Sequence, residues 1–210
     1  MLTSLLCLAA CDGTLTDFFG GESSGDTDTS AIVGDTSPDT AGDTDDTNES
    51  AADDDRVRAL TDLPQGTYPC RTPVLARIAY ISDGDTVYVH PDDGSEGFKV
   101  RLIGIDTPEI AHDDEPADCY GDEATTFTTE QVEDKLAWLT FDAECEDYYD
   151  RALAYAIRGE GDDGFFNRVL ARQGYADQLT VEPNSTFADD FADDVQAAQN
   201  EGLGLWEACR

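Results

Sequence analysis

A chain of 210 residues with 40% hydrophobic content has enough apolar material for a real core in one or two domains. Lys+Arg 12 against Asp+Glu 47 leave a formal net charge of −35, which excludes broad electrostatic capture of nucleic acid, because a basic face is the usual footprint of such binding. Residues 12–58 hold 14 acidic and 2 basic side chains, so residues 59–210 keep 33 and 10, a net of −23, and Lys99 and Lys135 are the only lysines. An exterior this acidic and lysine-poor suits both proteins of high-salt surroundings and ordinary soluble secreted proteins.

The first ten residues are apolar, of signal-peptide length and too short to span a bilayer. With Leu8-Ala9-Ala10-Cys11 they resemble the lipobox of bacterial lipoproteins, whose Cys is acylated and becomes the mature N-terminus. No Lys or Arg precedes the run, a departure from the usual leader. The resemblance implies a signal segment over 1–11, lipidation at Cys11, and an extracytoplasmic protein that is secreted or anchored by lipid to a bacterial membrane of the cell envelope. Residues 12–58 are rich in Asp, Thr, Ser and Gly, with no aromatic residue after Phe19, and cannot bury enough apolar surface to offset ordering. They read as a disordered acidic linker spanning roughly 35–40 Å by coil scaling. Gly-Asp-Thr recurs there at Gly25, Gly34 and Gly42 as low complexity.

A globular part follows over 59–210, with its core in 74–206. Alternating and β-branched runs predict strands near 74–81, 85–90 and 98–105, with a polar hairpin loop from Pro91 to Gly97. A helix at about 120–136 follows, then strands near 137–142 and 151–158, then helices near 164–173 and 186–201. Val100 to Ile105 is apolar and β-branched, and Pro108 has no N–H for a ladder, so that strand stops near Asp106. Asp106 and Glu109 then sit on a turn at a strand end, where functional groups are often displayed.

Asp83-Gly84-Asp85-Thr86 interrupts two strand-like runs and brings further acid to a strand end, while Asp147-Tyr148-Tyr149-Asp150-Arg151 leads into the run Ala152 to Ile157. Singly these have plain readings: Asp-Gly-Asp is a turn, Asp-Thr-Pro-Glu starts a turn or helix, and an Arg at a strand start is a solvated charge. Together, three carboxylates and two arginines from separate strand ends suggest a hard-metal site beside an anion site. Oxygen ligands suit Ca²⁺ or Mg²⁺, guanidinium forks suit phosphate, and the combination suggests phosphodiester chemistry.

From about Val74 to Trp206 these residues, in this order and spacing, resemble the staphylococcal nuclease (thermonuclease) family. The resemblance is carried by Asp83-Gly84-Asp85-Thr86, by Arg101-Leu102 through Asp106-Thr107-Pro108-Glu109, by Tyr120-Gly121 with Glu123-Ala124, and by Tyr149 with Arg151 and Leu153-Ala154-Tyr155. Asn167 with Leu170, Arg172-Gln173-Gly174, Pro183-Asn184 with Thr186, and Gly204-Leu205-Trp206 extend it. It implies an α+β fold, a five-stranded OB-fold β-barrel with three helices, and a Ca²⁺-dependent nuclease acting on DNA and RNA. Asp85 and Asp106 match calcium ligands, with Thr107 adding a backbone carbonyl. Arg101 and Arg151 match the pair that grips the scissile phosphate, Glu109 the general base or water orienter, and Tyr149 a position near the nucleotide's terminal phosphate. Cleavage at the 5′ P–O bond, leaving 3′-phosphates, is likewise implied. Two departures stand out: the family has Gly where this chain has Asp150, and basic or tyrosine positions near Leu179 to Glu182 are replaced. The rival reading is a non-catalytic OB-fold surface module binding nucleic acid or a protein partner. Retention of Asp85, Arg101, Asp106, Glu109 and Arg151 favours the enzyme, and no obligate protein partner is inferred.

With Cys7 in the leader and Cys11 lipidated, Cys70, Cys119, Cys145 and Cys209 remain, an even number in an exported chain, which predicts two disulfides. Of three connectivities, Cys119–Cys145 with Cys70–Cys209 is the favoured expectation. No Cys-x-x-Cys or clustered His supports zinc, and His90 and His112 read as isolated surface residues.

Overall fold

The computed structural model describes residues 46–112 and 116–210. Cys11 and the linker up to residue 45 lie outside the described residues. The elements are α1 (Asp46–Arg58), β1 (Val74–Asp83), β2 (Thr86–Pro91), β3 (Phe98–Leu102), β4 (Gly104–Asp106), α2 (Gly121–Val132), β5 (Leu136–Thr140), β6 (Ala152–Ile157), α3 (Gly161–Gly164), α4 (Phe166–Arg172), β7 (Asp177–Leu179), α5 (Ala188–Glu201) and α6 (Leu205–Ala208). Strands β1-β2-β3-β6-β5 close a barrel in that order. All its pairings are antiparallel except β3 with β6, which sets Arg101 beside Leu153. This is the five-stranded OB-type barrel of an α+β fold.

Inward positions carry the apolar side chains that pleating predicts: Ala76 and Ile78 from β1, Val87 and Val89 from β2, Val100 and Leu102 from β3, all buried. In β6, Ala154 to Ile157 are buried on both faces, because α4 covers the outside of that strand. There Tyr155 packs edge-on against Phe165 and Phe187. Its hydroxyl donates to the buried Asp142 at 2.8 Å, and that carboxylate also accepts the Thr186 N–H at 3.0 Å and hydroxyl at 2.9 Å. Burial and this carboxylate push the Tyr155 phenol well above its ordinary range. One acid thus ties β5, β6 and the turn before α5 together, since a carboxylate stays buried only when its oxygens are satisfied.

The expected strand over 98–105 is two strands. Gly104 adopts φ +85, and a Cβ there would run into the Phe191 ring, so the chain turns out of the barrel after Leu102. The short β4 pairs with β7, a strand that the sequence pattern did not reveal. Asn167 of α4 holds this break in place: its amide donates to the Ile103 carbonyl at 2.9 Å and accepts the Ala156 N–H at 2.9 Å. The expected helix over 120–136 ends earlier, at Val132, because Asp134 takes φ 58 and Leu136 already belongs to β5.

Two further expectations are corrected. Residues 46–58, read as the end of the disordered linker, form α1, whose Val57 is fully buried and whose Val57 carbonyl accepts the Trp138 indole N–H at 2.9 Å. Its nearly uniform polarity hid it, for the helix is attached chiefly through ion pairs of Asp53 with Arg158, Asp54 with Arg77, and Arg58 with Asp92. The disulfides join Cys70 to Cys145 and Cys119 to Cys209, not the favoured pairing. The first fastens the chain ahead of β1 to the loop ahead of β6, where Cys70 N–H also donates to Asp142 O at 2.7 Å. Each bridge closes a long loop, and such bridges typically contribute about 2–4 kcal/mol.

Candidate active site

The site is assembled from three strand ends. The turn between β1 and β2 presents Asp83 and Asp85, and Gly84 is needed there because a Cβ would come within 2.6 Å of the Thr107 hydroxyl oxygen. The buried Thr128 of α2 donates to the Gly84 carbonyl at 2.7 Å, the Leu102 N–H donates to the Asp85 carbonyl at 2.8 Å, and Asp83 accepts the Asp85 N–H at 3.1 Å. The Asp85 carboxylate, almost wholly buried, accepts the Thr107 N–H at 2.8 Å, which locks the end of β4 onto the turn before β2.

Arg101, on β3, lies between the two acids. One terminal nitrogen donates to Asp106 at 2.6 Å, and the other is in ion contact with Asp85 but makes no directed hydrogen bond. Burial pushes the guanidinium below its ordinary value, opposed by Asp106 and Asp83. Glu109 is placed on the loop after β4, where its carbonyl accepts the Asp118 N–H at 2.9 Å, next to the Cys119 bridge. Partial burial, with the charge of Asp83, raises the Glu109 carboxyl above the usual range, and Arg101 opposes the shift. His112 is exposed, 4.0 Å from Glu109.

Arg151 enters at the start of β6, beside β3 in the parallel pair, and lines the same cavity as Arg101. Its orientation comes from Asp147, which the spacing of charges did not single out: Asp147 accepts the Arg151 Nε–H at 2.7 Å, the Arg151 N–H at 2.9 Å and the Tyr149 N–H at 2.9 Å. A carboxylate four residues ahead of an arginine in a tight loop was the available signal. The Arg151 guanidinium stands over the Tyr149 ring at 5.5 Å, within cation–π range. Asp150, the departure from Gly, takes φ 60, a left-handed conformation that Gly favours and Asp tolerates.

Asp85, Asp106, Arg101 and Arg151 are thus together, with Glu109 within electrostatic influence of Arg101 and the acids. Among the described residues no group of three or more His, Cys, Asp or Glu is arranged to hold a metal ion. The oxygens at hand are those of the Asp85 and Asp106 carboxylates, both reached by the Arg101 guanidinium. An all-oxygen set of this kind fits a hard cation completed by water or substrate oxygens. Chemically, two guanidinium groups beside carboxylates can bind a phosphate and stabilise added negative charge on it.

Residues 99–208 match the family described as staphylococcal nuclease homologue. The chain is 35% identical over 127 residues to a thermonuclease of Staphylococcus intermedius, an alignment covering 60% of this chain and 73% of that protein. A thermonuclease of Staphylococcus hyicus is 31% identical over 130 residues, covering 62% and 74%. A prophage-derived endonuclease of Bacillus subtilis is 33% identical over 126 residues, covering 59% of this chain and 41% of its own length.

Burial alone would push the Asp147 carboxyl up, but the hydrogen bonds from Arg151 and Tyr149 outweigh it and hold the group below the usual range. A carboxyl with a depressed folded-state pKa contributes its full stability above the unfolded value of about 3.9 and loses it as pH falls through the lower folded value. Urea unfolding of Asp147→Asn should therefore show lower stability than the parent at pH 7, and the two should converge as pH falls toward 3. An undiminished gap at pH 3 would contradict this role for the charge.

Proposed function

The chain belongs to the staphylococcal nuclease homologue family and is a nuclease, and from that premise we propose that it hydrolyses phosphodiesters of DNA and RNA with Ca²⁺ held between Asp85 and Asp106. The observation that carries this reading is the convergence of Arg101 and Arg151 on one cavity beside two strand-end carboxylates. Asp85, Asp106 and the Thr107 carbonyl would hold the ion, which when bound supplies positive charge and polarises oxygen ligands.

The chain's own residues do the rest. Arg101 and Arg151 bind the non-bridging oxygens of the scissile phosphate, and their charge offsets what accumulates in the five-coordinate state. Asp147 keeps the Arg151 fork aimed and so reduces the ordering needed when substrate arrives. Glu109, with its raised pKa, accepts a hydrogen bond from the attacking water and orients it toward phosphorus. The bond from the Asp118 N–H to the Glu109 carbonyl, next to the Cys119–Cys209 bridge, helps fix the backbone that carries that carboxylate.

The location outside the cytoplasm, by a lipid on Cys11, is part of the same proposal. The four described cysteines form two bridges, which is the state expected in an oxidising compartment. Among the described residues no helix is long and apolar enough to cross a membrane. Cys11→Ser should move the protein from the membrane fraction to the soluble one, and unchanged fractionation would refute lipidation.

Nuclease assay of the full-length protein tests the chemistry. Hydrolysis of single-stranded DNA should require Ca²⁺ and stop in chelator, and Glu109→Ala or Arg151→Ala should each lower kcat/KM by about 10²–10³ with the fold retained. Full activity in chelator, or in Arg151→Ala, contradicts the mechanism.

A further inference from the structure

The cavity that Arg101 and Arg151 share has a volume of about 690 Å³ and opens to solvent. Leu153, Leu179 and Val181 give it apolar walls, and Tyr148 and Tyr149 stand beside it with 94% and 75% of their surface exposed. Exposed aromatic rings and aliphatic walls next to a phosphate grip fit a nucleobase, whose flat face stacks while its phosphate lies on the arginines.

The same wall carries three acids with different engagements. Asp147 is taken up by Arg151 and Tyr149, and Glu146 pairs with Arg71 at 3.2 Å. The Glu144 carboxylate has no hydrogen bond or ion pair among the described residues. Its main chain, by contrast, is clamped: the buried Asn184 side chain accepts the Glu144 N–H at 2.7 Å and donates to the Glu144 carbonyl at 3.0 Å. The next residue, Cys145, is bridged to Cys70. The exposed Glu144 carboxylate, on a fixed backbone among the residues that line the cavity, is placed to meet the edge of a base that enters.

We propose that Glu144 determines base specificity, accepting N–H groups from the Watson–Crick edge of the base next to the scissile phosphate, so that guanine is preferred and thymine or uracil disfavoured. This rests on the nuclease reading above. Guanine offers N1–H and the N2 amino group side by side, matching the two oxygens of one carboxylate. Adenine and cytosine offer one amino donor beside an acceptor. Thymine and uracil flank their single N–H with two carbonyl oxygens, which a carboxylate repels.

The test is cleavage of random-sequence single-stranded DNA by the full-length protein in Ca²⁺, with the cut ends sequenced. Guanine should exceed thymine about 10-fold at one position flanking the cut, within the discrimination a bidentate base contact provides. Glu144→Gln keeps the size, removes the charge and pairs one donor with one acceptor, so the guanine-to-thymine ratio should fall to about one or two. With the unaltered protein, dGMP should inhibit about 10-fold more strongly than dTMP. A flat or thymine-rich profile, equal inhibition by the two nucleotides, or the same profile in Glu144→Gln overturns the inference while leaving the nuclease reading standing. Absence of cleavage by the unaltered protein overturns the nuclease reading itself.

Discussion

The arrangement depends on one buried charge contact, the guanidinium of Arg101 against the carboxylates of Asp85 and Asp106. A nearly inaccessible carboxylate such as Asp85 is unstable without compensating charge and hydrogen bonds, and removing one partner of such a set typically costs about 3–5 kcal/mol. Arg101 supplies the charge, and the Thr107 N–H supplies a hydrogen bond. Because these partners come from β3 and from the end of β4, satisfying Asp85 forces the turn before β2 and the two strand ends into one place. The kink at Gly104 and the Asn167 hydrogen bonds follow from the same requirement, since β4 must leave the barrel for Asp106 to reach the guanidinium.

The strands and the acids of the site were readable from sequence because their signals are local. Alternation in Val74 to Ile81, the Asp-Gly-Asp turn, and Pro108 after a β-branched run each state their conformation within a few residues. What was not readable depends on partners distant in sequence. Helix α1 has almost no apolar face and is held by ion pairs to Arg77 and Arg158, so composition alone classed it with the linker. The three-residue β7 forms only because β4 offers it an edge. Disulfide connectivity follows chain paths around the barrel, and Asp147 gains its role only when Arg151 folds back on it.

The acidity of residues 59–210 gains a physical sense from these contacts. Arginines outside the cavity are engaged by acids: Arg77 and Arg158 under α1, and Arg168 and Arg172 around the buried Asp194, with Arg168 bidentate at 2.6 and 3.1 Å. They knit elements together and, among the described residues, leave no broad basic surface for a polyanion. Long-range attraction of nucleic acid by a basic face is not to be expected of such a chain, which leaves recognition to short-range groups such as the two arginines and the tyrosines that line the cavity.

Calorimetric titration of Ca²⁺ into the protein and its Asp85→Asn variant decides whether Asp85 and Asp106 form a cation site beside the phosphate grip. The asparagine keeps the side-chain oxygen that accepts the Thr107 N–H but removes the charge. The parent chain should show one saturable Ca²⁺ site above any weak binding by the acidic surface, and the variant should lose it while still unfolding cooperatively. Indistinguishable titrations of a folded variant and its parent would contradict it.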